Sequence, residues 1–146
     1  MRIAIGADQG GFELKEKIVE YLAAQDHQVL DLGIYELKSI DYPDIAVSVA
    51  RSVADGQAER GIIVCATGLG VSMAANKVHG IRAALCTDCY MARMAREHND
   101  AQVLCLGGRV IGIGPALEIV GVFLSSGAQG GRHARRVAKI NALDEK

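Results

Sequence analysis

Short aliphatic runs alternate with helical segments along most of this chain, and that alternation is the tightest constraint on its fold. Five runs read as strands: Arg2–Gly6, His27–Leu32, Gly61–Cys65, Gly80–Leu85 and Gln102–Leu106. Between them, Phe12–Ala24 puts Leu14, Ile18, Tyr21 and Leu22 on one face, with Lys15, Glu16, Lys17 and Glu20 mostly elsewhere. This is the periodicity of a surface helix. Pro43–Asp55 is a second helix, opened by a proline whose missing N–H has no intrahelical acceptor to lose. Gly70–Lys77, Asp88–Glu97, Gly114–Ser125 and Arg132–Leu143 complete the helical set. Strands and helices joined by short connections predict right-handed βαβ crossovers. The expected fold is α/β: doubly wound and Rossmann-like, a mostly parallel five-stranded sheet with helices on both faces.

The composition fits such a sheet. Residues 1–146 suit a single domain, half of them are apolar, and there are two Phe, four Tyr and no Trp. A core built from Val, Ile, Leu, Ala and Gly is typical of parallel sheets covered on both sides. The formal net charge of -1 argues against a long nucleic-acid footprint but leaves room for a local anion pocket. No stretch approaches the about 18 continuous apolar residues of a membrane span. The opening residues lack the pattern of a signal peptide, so a cytoplasmic location is expected. Cys65, Cys86, Cys89 and Cys105 are then expected as free thiols.

Ligands of open α/β sheets bind beyond the carboxyl ends of the strands. Asp8, Cys65 and Arg109 follow strands. His98 instead closes a helix before the fifth strand, and topology alone does not place it in the pocket. Three glycine turns are candidates for the site: Gly6-Ala7-Asp8-Gln9-Gly10-Gly11, Thr67-Gly68-Leu69-Gly70 and Gly107-Gly108-Arg109. None carries the dinucleotide fingerprint or a phosphate-loop Gly-Lys-Ser/Thr, so no nucleotide cofactor is indicated.

The Thr67–Gly70 turn follows Cys65 after a single residue, Ala66. Consecutive exposed amides there could stabilise a negative oxygen, or the glycines could simply serve a tight βα turn. Cys65 could act as a base or nucleophile, or finish the strand as a small buried hydrophobe. Thr67 could hold a reacting oxygen or cap the next helix. His98 could exchange protons near neutral pH, with Asn99 binding a hydroxyl beside it, or it could favour the helix dipole. Cys86-Thr87-Asp88-Cys89 is a weak signal for thiol redox chemistry and only half of a cysteine-rich zinc site, and a structural role is favoured over both. Arg132 and Arg136 lie four apart on one helical face and can bracket a phosphate with two donor forks. A solvated basic face or a subunit salt-bridge surface is the other reading.

Taken together, these segments resemble the ribose-5-phosphate isomerase B family, which includes the galactose-6-phosphate isomerase subunits. The resemblance covers almost the whole chain. It rests on the opening Gly-Ala-Asp, Asp41-Tyr42-Pro43, Cys-x-Thr-Gly-Leu-Gly, Ala75-Asn76-Lys77, Arg96-Glu97-His98-Asn99-Asp100 and Gly130-Gly131-Arg132-His133. It implies metal-free, cofactor-free aldose–ketose isomerisation of a phosphorylated sugar by a homodimer or dimer-based tetramer. Both subunits would line each pocket, and the C-terminal helix would contribute to the interface.

By the same resemblance, Cys65 is the base, and Thr67 with the backbone of Gly68, Leu69 and Gly70 stabilises the enediolate oxygen. His98 assists ring opening, Asn99 holds a hydroxyl, Arg132 and Arg136 grip phosphate, Arg109 lies near the substrate, and Asp8 orients sugar hydroxyls or assists ring opening. Gln9 and Ala66 depart from the family pattern, which usually has histidine and glycine there. Gln9 can hydrogen-bond but cannot carry the same positive charge, and Ala66 adds a methyl close to the base. Ribose 5-phosphate is the expected substrate. The alternatives are a hexose 6-phosphate, such as that of allose or galactose, and a noncatalytic sugar-phosphate-binding protein.

Overall fold

The computed structural model describes residues 1–145. Strands β1 (Arg2–Ala7), β2 (Gln28–Asp31), β3 (Arg60–Cys65), β4 (Ala83–Leu85) and β5 (Val103–Gly107) form one sheet in the order β2-β1-β3-β5-β4. Every pairing is parallel. Helices α1 (Phe12–Ala24), α2 (Tyr42–Ala54), α3 (Leu69–Ala75), α4 (Cys89–Glu97), α5 (Ile113–Ser125) and α6 (Arg132–Ala142) follow in turn, with a short 3-10 turn at Leu143–Glu145.

Alternation along each strand divides the core into two layers. Ile3, Ile5, Ile62, Val64, Leu104 and Leu106 pack under α1, α4 and α5, while Ala4, Ile63, Cys65, Val103 and Cys105 face α2 and α3. After β2 the chain crosses β1 to enter β3 on its other side. The carboxyl ends of β1 and β3 therefore flank the topological switch, where such sheets open a ligand crevice.

Two elements differ instructively from the sequence expectation. The fourth strand, expected over Gly80–Leu85, shortens to Ala83–Leu85 because Gly80 turns the chain at φ +81 and Ile81 donates back to Val78 O. As an edge strand β4 has no neighbour on one side, and the side chain of Asn76 supplies one. Its Oδ1 accepts from Ala83 N at 2.8 Å and its Nδ2 donates to Ala83 O at 2.9 Å.

Lys15, expected on the polar side of α1, is wholly buried. Its ammonium donates to Asp31 Oδ1 and Oδ2 at 2.9 and 2.8 Å, with Glu16 at 3.0 Å. A buried cation is tolerated only when paired in this way. The pair ties α1 to the carboxyl end of β2, where Asp31 also accepts from Gly33 N and its carbonyl from the Tyr35 hydroxyl. This end of the sheet is thereby pinned before the chain enters the loop leading to α2.

Candidate active site

Three glycine turns meet backbone to backbone at the carboxyl end of the sheet. The register pairs Cys65 with Gly107 across β3 and β5. Beyond it, Gly108 N donates to Cys65 O at 2.8 Å and Arg109 N to Ala66 O at 3.0 Å. Asp8 N reaches Val64 O at 3.3 Å from the other side. No side chain could sit between these loops. A Cβ on Gly107 would lie 2.6 Å from Thr67 O, and one on Gly108 would lie 2.7 Å from Gly10 O. The glycines after β1, β3 and β5 thus serve close approach.

Within this cluster the side chains are already engaged. Asp8, buried, accepts from Gly10 N and Gly11 N at 2.9 and 3.2 Å through Oδ1 and so shapes its own turn. The Cys65 sulfur accepts from Gly68 N at 3.0 Å. Thr67 Oγ1 accepts from Leu69 N at 3.2 Å, a local turn bond ahead of α3, whose N-cap is Gly68 rather than Thr67, and Thr67 remains exposed. Gly68 takes φ +81 to make this turn. Gly70, in the first turn of α3, lies under the Tyr42 ring, where it has no intrahelical acceptor for its amide.

The two departures from the family pattern acquire definite positions. A Cβ on Gly10 would meet the Ala66 methyl at 2.9 Å, so that methyl fills space against the Gly10 turn. Gln9 turns outward, and its Oε1 accepts from Ile40 N at 3.1 Å, linking the first turn to the loop before α2. Beside it opens a cavity of about 510 Å³, bordered by Gln9, Glu13, Lys38, Ser39 and Arg109. Its lining carries two cations, Lys38 and Arg109, and one carboxylate, Glu13.

The remaining expected site residues gather elsewhere. Because α4 leaves the carboxyl end of β4 and runs back along the sheet, its last turn delivers His98 and Asn99 to the amino end of β5. There the His98 ring stacks on His133, centroids 4.0 Å apart and planes 5° apart. Gln129 N donates to Glu97 O at 3.0 Å, which places the start of α6 on the same turn. Arg132 and Arg136 are exposed on α6, with His133 and Val137 on its buried side. His133 is held below the ordinary imidazole range by burial first, then by His98, Arg132 and Arg136, with Glu97 pulling the other way.

The structure therefore brings Asp8, Gln9, Cys65, Ala66, Thr67, Gly68, Leu69, Gly70 and Arg109 together and sets His98, Asn99, Arg132 and Arg136 apart from them. The length of β5 with its flanks separates the two groups by roughly 15 Å, at about 3.3 Å per residue. One sugar phosphate cannot bridge the sulfur and His98 within one protomer. Each end holds part of the set of expected site residues.

All four cysteines are unbridged. Cys105 is fully buried, and burial pushes its thiol far up; burial, then Asp88, pushes Cys86 up to about 12. Among the described residues no three of His, Cys, Asp and Glu gather as a metal cluster. No helix among them is long and apolar enough to cross a membrane. Sequence reasoning gave no role to Tyr42, Lys38 or His133. Tyr42 and His133 lie in segments that carried the family resemblance, which was the signal available; Lys38 had none.

Comparison with known proteins converges on one family. Residues 3–140 match the ribose/galactose isomerase family model. The chain is 52% identical to a solved Clostridium thermocellum ribose-5-phosphate isomerase B, with a TM-score of 0.98 over 99% of this chain and 98% of that one. It is 43% identical to ribose-5-phosphate isomerase B of Escherichia coli strain K12 over 99% of this chain and 97% of the relative. It is also 45% identical to a D-erythrulose-4-phosphate isomerase of Pectobacterium atrosepticum, over 96% of this chain and 93% of the relative.

Proposed function

The chain belongs to the ribose/galactose isomerase family and is an aldose–ketose isomerase; from that premise we propose that it interconverts ribose 5-phosphate and ribulose 5-phosphate with Cys65 as the base. The sulfur takes the proton from C2 of the open-chain aldose and returns it to C1, through an enediolate. Developing negative charge on the oxygen is met by the Thr67 hydroxyl and the Gly70 amide, fixed in advance by the interlocked glycine loops, while the Gly68 and Leu69 amides hold the sulfur and the Thr67 hydroxyl in place. The observation that carries this reading is the Gly68 N–Sγ hydrogen bond, which holds the sulfur at the mouth of the β1/β3 crevice.

Asp8 orients the sugar hydroxyls and Arg109 stands at the rim. The phosphate is gripped by Arg132 and Arg136, whose distance from the reacting carbons anchors a flexible substrate by binding energy spent on orientation. His98 moves the proton that opens the furanose ring, and Asn99 holds a hydroxyl beside it.

The separation of these groups leads to the assembly. The working unit is a homodimer in which the carboxyl end of one copy faces the amino end of the other. Cys65 of one subunit then meets His98, Asn99, Arg132 and Arg136 of its mate, with α6 at the interface. A two-fold arrangement makes two such composite sites.

Subunit mixing tests both assignments. Cys65→Ala and His98→Ala homodimers should each be nearly inactive. Unfolded, mixed one to one and refolded, they should regain about a quarter of wild-type turnover, because half the dimers are hybrids and each hybrid has one intact site. No recovery would refute the shared site, and full activity of the Cys65→Ala homodimer would refute the base. Parallel assays on four-, five- and six-carbon sugar phosphates test the pentose assignment, which fails if the five-carbon substrate is not turned over.

A further inference from the structure

The turn that carries His98 and Asn99 is gripped by two arginines that play no part in the chemistry described above. Helix α4 ends at Glu97, and the chain must reverse within a few residues to enter β5. It does so with Asp100 in the left-handed region at φ 45, a conformation uncommon for a residue with a side chain. Arg96, 3% exposed, donates from Nη1 to Asp100 Oδ1 at 2.9 Å and to Ala101 O at 2.7 Å. That bond closes the turn from within α4.

Arg82 closes it from outside. It comes from the residues just ahead of β4, and its guanidinium spreads over three acceptors. Nε donates to Asn99 O at 3.0 Å, Nη2 to Asp100 O at 2.9 Å and Nη1 to Asn141 Oδ1 at 2.6 Å. Nη2 also lies 3.7 Å from Asp100 Oδ2. The backbone that carries Arg82 is itself fixed, since its N–H donates to Gln102 Oε1 at 2.8 Å and Gln102 Nε2 donates to Gly80 O at 2.8 Å. One planar fork therefore spans the His98–Asp100 turn and the end of α6, the helix that carries Arg132 and Arg136.

We propose that Arg82 is a positioning residue for ring opening: it holds the two carbonyls after His98 so that the imidazole stays in place for the cyclic aldose. The proposal rests on the assignment of His98 to ring opening. A lysine cannot replace Arg82, because one ammonium on a flexible stem cannot reach three acceptors arranged for a fork.

The chemistry supplies a readout that a merely structural role would not move. An aldopentose 5-phosphate closes to a furanose, whereas a 2-ketopentose whose O5 carries the phosphate cannot close that ring. Exchange of a C1 hydrogen of ribulose 5-phosphate with deuterated solvent therefore reports proton abstraction without ring opening. Turnover of ribose 5-phosphate requires both.

The experiment compares wild type, Arg82→Lys and His98→Ala in both assays at saturating substrate, so that a weaker phosphate grip appears in KM. Arg82→Lys should lose about tenfold to a hundredfold in aldose kcat, with ketose exchange within about twofold of wild type. His98→Ala should show the same selectivity. If Arg82→Lys does not fold, Arg82→Gln, which keeps one amide donor, is read in the same way. Equal loss in both assays, or no loss, beside a selective His98→Ala defect overturns the role of Arg82 alone. A non-selective His98→Ala defect overturns the ring-opening assignment, and the proposal with it.

Discussion

Gly68→Ala separates two effects that a glycine turn usually confounds. Gly68 sits at φ +81, and a Cβ there would lie 2.9 Å from the carbonyl carbon of Leu106 and close on the Leu85 side chain. Gly56 has almost the same backbone, at φ +77, with nothing within 4 Å of its Cβ position. Gly56→Ala therefore carries only the left-handed strain, roughly 1–2 kcal/mol. Gly68→Ala adds overpacking of roughly 1–3 kcal/mol, for a total of about 2–5 kcal/mol.

At about 3 °C per kcal/mol for a domain of this size, the expected falls in Tm are about 3–6 °C for Gly56→Ala and about 6–15 °C for Gly68→Ala. Relief of the clash must also move the Gly68 amide off the Cys65 sulfur. Turnover should thus fall about a hundredfold or more in Gly68→Ala and stay unchanged in Gly56→Ala. Thermal melts and steady-state kinetics on the two variants give the answer. Equal Tm shifts with full activity in both would refute the argument that close approach of the β3 and β5 loops positions the base.

Three further outcomes follow from the same geometry. Asp31→Ala leaves the buried Lys15 ammonium with only the half-exposed Glu16 and should cost about 3 kcal/mol, whereas Lys15→Met should be near neutral in urea unfolding; the reverse ranking would contradict the pairing. Arg136→Ala should raise KM for the phosphorylated sugar about tenfold or more, from loss of a charge-assisted contact, while leaving a non-phosphorylated analogue unaffected; equal effects on both would count against phosphate recognition. Folding raises the Cys86 thiol from 9.0 to about 12, so the unfolded chain loses that proton first as pH climbs. The stabilisation is complete below 9.0 and declines as pH rises toward about 12. Urea midpoints that stayed constant across this range would refute the burial argument, and native alkylation at pH 8 should leave Cys86 and Cys105 unmodified.

Much of this was legible before any coordinates. The strand–helix order follows from periodicity, which is local. Element ends moved by a residue or two, and the larger change, in β4, came from the left-handed turn at Gly80 that closes Ile81 back onto Val78. The Cys65 turn was readable as a tight βα turn because Cys-Ala-Thr-Gly-Leu-Gly puts two glycines just past an apolar strand. Lys15 was misplaced because its helical position says nothing about Asp31, sixteen residues on. Gln9 was visible as a departure, but its bond to Ile40 depends on how the loop before α2 folds back.

Local pattern determined the α/β class and the succession of elements, and it nominated side chains whose chemistry suits proton transfer or phosphate binding, with their roles supplied by the family resemblance. Tertiary structure decided which of them stand together. Placing β5 between β3 and β4 laid Gly107–Arg109 against Cys65, while the direction of α4 carried His98 to the opposite end of the sheet. Strand order and helix direction arise from contacts between segments distant in sequence, whose register no local periodicity encodes.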